Sequence, residues 1–197
     1  MLQESGGGGA SGLLHQEISG PPRGAHPFRV LLLLSIAAWS ALGGCFVPSG
    51  QSQDFGKRPD WTLTGSDGAR ISAADFDHKV VILDFWATWC PPCRREVAGF
   101  IELQEKYKEK GLAVVGWSFD REKAVHDRWI RENHVNYPSF FVDTEAGKAE
   151  VAKFERLVGP VDGLPTTLVI SKDGSIVYKH VGYASPEEFE SVIRTLF

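Results

Sequence analysis

Phe85-Trp86-Ala87-Thr88-Trp89-Cys90-Pro91-Pro92-Cys93-Arg94-Arg95-Glu96 is the stretch on which the reading of this chain turns. The apolar run Val80-Val81-Ile82-Leu83 before it predicts a buried strand, and the amphipathic residues 96–110 after it predict a helix. Two cysteines at such a strand-to-helix junction form a redox device. A helix N-terminus offers unpaired N–H groups and partial positive charge, which favour the thiolate of the first cysteine over its thiol. Cys90 is therefore the expected nucleophile. Cys93, one turn further in, is placed to attack the mixed disulfide that Cys90 forms with a partner.

A Cys-x-x-Cys pair can also be half of a zinc site, but structural zinc needs four ligands. The remaining cysteine, Cys45, is distant in sequence, and the six histidines show no ligand-like spacing. A purely structural disulfide across so short a loop would stabilise little by the loop-entropy account.

From Asp60 to the C-terminus the chain resembles the thioredoxin superfamily, and within it the membrane-tethered TlpA/ResA-type thiol-disulfide oxidoreductases. The resemblance rests on Pro59-Asp60-Trp61-Thr62-Leu63 with Asp67-Gly68, on residues 85–93, and on Gly163-Leu164-Pro165-Thr166-Thr167 followed by Asp173-Gly174. It implies a thioredoxin-like three-layer α/β fold: a central mixed sheet flanked by helices, with an N-terminal hairpin and a TlpA-type insertion. It also implies dithiol-disulfide exchange that needs no metal and no organic cofactor. In the superfamily the proline matching Pro165 is cis and lies against the cysteine pair. Leu164 is then expected to present its backbone to an extended substrate segment beside Cys90, with Trp89, Pro91 and Pro92 shaping the same surface.

Two acids complete the expected site. Glu96 lies three residues after Cys93, on nearly the same helical face. The resemblance to ResA-type proteins gives it a part in proton transfer. Asp84 sits inside the apolar strand, where an aspartate is rarely buried without a reason. It matches the buried aspartate of thioredoxin, where TlpA/ResA-like chains commonly carry asparagine. Ala98 is a second departure, since proline is usual at that place. The expected catalytic set is Cys90, Cys93, Glu96 and Asp84.

Length and composition bound the rest. The 197 residues are 43% apolar, enough for one domain of about 100 to 150 residues plus an N-terminal extension. Net charge is −4, and the only basic clusters, Arg94-Arg95 and Lys106, Lys108 and Lys110, read as solvated helix faces. A nucleic-acid partner has no support in this pattern.

Residues 1–26 are rich in Gly, Ser and Pro, which predicts disorder. Arg23 and Arg29 then precede the apolar run 30–42, which ends at Leu42-Gly43-Gly44-Cys45, an arrangement that predicts a signal peptide. The ending resembles a bacterial lipobox, in which Cys45 would be lipidated and become the mature N-terminus. An uncleaved anchor helix and simple cleavage remain open beside it. All three place the domain outside the cytoplasm. Residues 1–45 are thus read as leader and signal peptide, 46–58 as a flexible tether and 59–197 as the folded domain.

Further elements follow from periodicity and turn signals. A hairpin is expected from 61–64 and 69–71, strands at 79–85 and 112–118, and helices at 91–110 and 122–134. A short strand at 139–142, a helix at 146–157, a hairpin of 166–171 with 176–180, and a helix at 186–196 capped by Ser185 complete the pattern. Trp86 is expected to shape the redox pocket and Trp61, Trp117 and Trp129 to join the core. His126, His134 and His180 are expected at the surface or as caps, and His78 as a turn into the strand.

By resemblance the direction is reductive, with exported thiol proteins such as apocytochrome c as partners and a thiol-reducing membrane electron donor. Two other classes are compatible with the fold. A thiol peroxidase needs Thr-x-x-Cys with a preceding proline, whereas Thr88 is only two residues before Cys90. A copper carrier would use Cys90 and Cys93 with a distal histidine.

Overall fold

The computed structural model describes residues 51–65 and 68–197; the leader, Cys45 and Asp67 of the first turn lie outside the described residues. In chain order the elements are β1 (Gln51–Ser52), β2 (Thr62–Thr64), β3 (Arg70–Ser72), β4 (Val80–Trp86), α1 (Pro91–Tyr107), β5 (Leu112–Ser118), α2 (Lys123–Glu132), β6 (Ser139–Phe141), α3 (Glu145–Val158), β7 (Thr166–Ile170), β8 (Ile176–Val181) and α4 (Pro186–Ile193). Six strands form one mixed sheet in the order β1-β8-β7-β4-β5-β6, and β2 and β3 form a separate hairpin. Strands β4, β5 and β6 run parallel, while β7 is antiparallel to both β4 and β8.

Strands β4 and β5 are buried along their whole length, which explains why Val80-Val81-Ile82-Leu83 and Leu112-Ala113-Val114-Val115 read as continuous apolar runs rather than alternating ones. Alternation still sorts their side chains between two faces. Val81, Leu83 and Phe85 point with Val115 and Trp117 towards α3 and the hairpin, where Trp61, Leu63, Val151 and Phe154 close the layer. Val80, Ile82 and Trp86 point the other way, towards Val97, Phe100 and Leu103 of α1 and Phe189 and Ile193 of α4. Asp84, between Ile82 and Trp86, therefore faces α1.

Helix α1 starts with prolines at its first turn and buries the stripe Val97, Phe100, Leu103 and Tyr107. It closes through a short 3₁₀ turn onto Gly111, whose φ of 92° only glycine adopts freely. Gly99 lets α1 and α4 touch, because a Cβ there would lie 2.3 Å from Pro186 Cγ. Ser185 caps α4 by accepting a hydrogen bond from Glu188 N–H.

Three expectations need correcting, one of them His180, which at 8% exposure is buried and not at the surface. Residues 51–58 of the supposed tether are ordered against β8: β1 pairs with it, Phe55 N–H donates to Ile176 O at 3.1 Å, and Arg58 N–H donates to Gly174 O at 2.8 Å. Without this segment β8 would be an open edge with unpaired backbone groups, and a chain of any composition can satisfy those. The third correction concerns His126, which is buried rather than exposed. Its Nδ1 lies 3.0 Å from Asp127 and its Nε2 2.9 Å from Ser139 Oγ. His134, by contrast, is left-handed just past α2, as a capping residue would be. Trp61 and Trp117 are core residues, and half-buried Trp129 packs on Trp86 with ring centroids 5.0 Å apart.

Candidate active site

Cys90 and Cys93 are joined in a disulfide, with Cα atoms 5.3 Å apart. Cys90 is the N-cap of α1. Pro91 and Pro92 have no N–H, so the first free donor of the helix is that of Cys93, and it points at Cys90 Sγ from 3.3 Å. That donor and the helix dipole both stabilise negative charge on Cys90 rather than on Cys93. Exposure is asymmetric too, with Cys90 5% accessible and Cys93 wholly enclosed. Trp89 beside them is 60% exposed, a large apolar ring held in solvent at the edge of the disulfide.

The Leu164-Pro165 peptide is cis. Leu164 packs on the same cluster as Cys90 and Cys93, and Pro165 O accepts from Gly182 N–H at 2.8 Å, which ties this loop to the end of β8. Among the described residues neither backbone group of Leu164 has a hydrogen-bond partner, so both remain able to pair with an added strand.

Both expected acids are enclosed. Glu96 is 1% exposed; Thr167 Oγ1 donates to its Oε2 and Ala184 N–H to its Oε1, each at 3.0 Å. Burial pushes the Glu96 carboxyl up to about 7, against these two hydrogen bonds, and the nearby Glu188 carboxylate adds to the rise. Asp84 has no exposure, and among the described residues neither of its carboxylate oxygens has a hydrogen-bond partner. Burial, with the Glu96 charge close by, holds Asp84 well above the ordinary carboxylate range.

Sequence reasoning missed several neighbours of these acids. Tyr137 is buried, its hydroxyl has no partner among the described residues, and burial together with the charges of Asp84 and Glu96 raises its phenol. Thr167 was visible as part of the Pro-Thr-Thr motif, but its bond to Glu96 depends on packing across the sheet. Thr88, the residue behind the peroxidase alternative, donates its amide and hydroxyl to Asp120 Oδ1 at 3.0 and 2.7 Å. For the carrier alternative, no group of three or more His, Cys, Asp or Glu among the described residues could hold a metal ion. Among the same residues no helix is long and apolar enough to cross a membrane.

The family model described as Redoxin matches residues 53–196, nearly all of the described chain. The chain belongs to the Redoxin family. Within Redoxin it is similar to the thiol-disulfide oxidoreductase ResA of Bacillus cereus, with 30% identity covering 86% of this chain and 95% of that protein. ResA of Bacillus subtilis is 25% identical over 75% of this chain and 78% of its own length. Among solved structures, a thioredoxin-family thiol:disulfide interchange protein from Chlorobium tepidum superposes with a TM-score of 0.67 at 24% identity, covering 74% of this chain and 98% of that one. A secreted thiol-disulfide isomerase from Corynebacterium glutamicum gives a TM-score of 0.61 at 25% identity, covering 70% and 83%. This Redoxin chain is thus a ResA-like member of the thioredoxin superfamily, and its enzymatic activity is thiol-disulfide oxidoreduction.

Proposed function

We propose that the protein reduces disulfides of exported proteins outside the cytoplasm, held at the membrane through its N-terminal segment. The observation that carries the chemistry is the asymmetry of the cysteine pair: Cys90 is 5% exposed next to the solvent-held Trp89, and Cys93 is wholly buried, as are Asp84 and Glu96. In the reduced form the Cys90 thiolate attacks a partner disulfide, releases one partner thiol and leaves a mixed disulfide. Cys93 then gives its proton to the Asp84–Glu96 pair and attacks Cys90, and the partner departs as a second thiol. Two electrons pass from the cysteine pair to the partner, and the partner's two thiolates take their protons from water. The protein is left as the disulfide and is recharged by a dithiol donor in the membrane.

An extended segment of the partner would lie along Leu164 and Pro165, hydrogen-bonded to the Leu164 backbone groups, with Trp89, Pro91 and Pro92 against its side chains. This mode suits flexible cysteine-bearing segments, such as the haem-attachment region of an apocytochrome c. The extracytoplasmic setting is supported by the Leu42-Gly43-Gly44-Cys45 ending and by the secreted relative. Trapping tests the division of labour: Cys93→Ser is expected to accumulate mixed disulfides through Cys90, and Cys90→Ser to accumulate few. Equal trapping by both variants would overturn the assignment. Mass spectrometry of the membrane fraction is expected to find Cys45 lipidated at the mature N-terminus, and an unmodified Cys45 in the exported protein would refute the lipid anchor.

A further inference from the structure

We propose that His180 and Glu188 form the outlet through which the buried Asp84–Glu96 pair exchanges its proton with solvent. The inference rests on the reading of those two acids as the proton acceptors of Cys93. It starts from strand register. Asp84 pairs with Thr167 across β4 and β7, and Thr167 pairs with His180 across β7 and β8. Directly paired residues share a face, so Asp84, Thr167 and His180 form one polar row on the side of the sheet that α1 and α4 cover.

Two carboxylates lie over this row. Glu96 from α1 accepts the Thr167 hydroxyl, and Glu188 from the first turn of α4 accepts the Tyr178 hydroxyl at 3.2 Å. His180 Nδ1 stands 3.8 Å from Glu188 Oε1 and has no hydrogen-bond partner among the described residues. The titratable groups that face His180 are therefore Glu188 from α4 and Tyr178 from its own strand, with Glu96 of α1 and Asp84 of β4 beyond Thr167. His180 and Glu188 are each 8% exposed, against 1% for Glu96 and none for Asp84. The row thus runs from a sealed end to one that touches water.

The opposite end of the row is interrupted next to Asp84. Asp84 pairs there with Gly116, which brings no side chain, and Gly116 pairs with Ser139. His126 beyond Ser139 binds Asp127, whose side chain is 19% exposed, but the bare Gly116 separates that pair from Asp84. The polar side chains that register places in line with Asp84 therefore lead through Thr167 to His180. Imidazole is suited to the task because it can take a proton at one ring nitrogen while giving one up at the other.

The step balances within the exchange already described. The Cys93 thiol proton moves to Glu96 as the Cys93–Cys90 bond forms and the Cys90–partner bond breaks. The departing partner thiolate takes a proton from water, and Glu96 returns one to water through the His180–Glu188 pair. No outside oxidant or reductant enters. His180 and Glu188 touch neither the sulfurs nor the partner, so they are relay and positioning residues rather than catalytic ones.

The test is multiple-turnover reduction of a disulfide peptide by the full chain under a dithiol donor, followed from pH 5 to 9. His180→Gln keeps size and polarity but cannot shuttle a proton, and it is expected to slow turnover about tenfold near neutral pH, a modest share of what proton transfer contributes to such steps. Added imidazole is expected to restore the rate of His180→Ala, which a packing role alone would not allow. Should His180→Ala fail to fold, the pH profile of His180→Gln decides. A slow Glu96→Gln beside a His180→Gln variant with wild-type rate and pH profile would overturn the outlet alone. Wild-type behaviour of Glu96→Gln would overturn the underlying acid reading and the outlet with it.

Discussion

The two faces of the central sheet are made by the same strands, yet they carry different loads. Towards α3 and the hairpin, Phe85, Trp117, Trp61, Phe140 and Phe154 meet edge to face, with Phe85 and Trp117 centroids 5.6 Å apart and Trp117 and Phe154 5.3 Å apart. Such pairs add to the free energy of simple area burial and leave few polar atoms to satisfy. Towards α1 and α4, the apolar layer of Ile82, Val97, Phe100 and Phe189 is interrupted by Asp84, Glu96, Thr167 and His180. Both carboxylate oxygens of Asp84 are unpartnered among the described residues, and each buried polar group left so costs about 1 to 3 kcal/mol. The comparison teaches that one face supplies stability which the other gives up by burying acids, the groups to which the proposed function assigns proton handling.

The largest expected effects separate the faces most cleanly. Cys93→Ser is expected to abolish turnover while leaving the fold intact, as read by disulfide-peptide reduction and circular dichroism. Phe154→Ala, on the apolar face, is expected to cost about 3 to 5 kcal/mol in denaturant unfolding and to leave exchange per folded molecule unchanged. A strong effect of Phe154→Ala on the exchange rate would break the division between faces.

Asp84→Asn keeps the shape and removes the enclosed charge. It is expected to stabilise the domain by about 1 to 3 kcal/mol at neutral pH and above, and to slow resolution of the mixed disulfide. The sign follows from linkage: a carboxyl raised on folding binds more protons in the native state, so stability falls as pH rises above its unfolded value. The gain from Asp84→Asn should therefore vanish near pH 3, where the carboxyl is neutral in both states. Glu96 obeys the same rule. Its contribution to stability is expected to decline between its ordinary value and about 7 and to level off above, and Glu96→Gln should remove that slope from unfolding measured across pH.

The smallest effect expected is that of Thr167→Val. Losing one hydrogen bond costs about 1 kcal/mol, and because that bond favours the ionised form, Glu96 should titrate higher than in the wild type. Carboxyl chemical shifts across pH would show the change.

Much of the architecture was legible because local chemistry and fold agreed. The continuous apolar run of residues 112–118 gave β5 with its observed ends, and the proline start and Gly111 stop bracketed α1 and the short turn that follows it. The pairing of residues 51–58 with β8 was hidden, since backbone hydrogen bonds to an edge leave no mark on side-chain composition. Within the site, the spacing of Cys90, Cys93 and Glu96 along one helix brought those residues together on paper. The bonds that enclose Glu96 come from Thr167 and Ala184, 71 and 88 residues away, and depend on how β7 and α4 settle against α1. His180 was misplaced for the same reason: a lone histidine in an alternating strand looks solvated until α4 covers it.

The most direct test of the proton-handling face is the rate at which a mixed disulfide, preformed on Cys90, is resolved by Cys93 as pH is varied. The wild-type rate is expected to rise through an inflection near 7, where Glu96 ionises and becomes able to accept the thiol proton. The double variant Asp84→Asn, Glu96→Gln should lose that inflection and resolve about a hundredfold more slowly at neutral pH. An unchanged rate and an unchanged pH profile in the double variant would contradict the account.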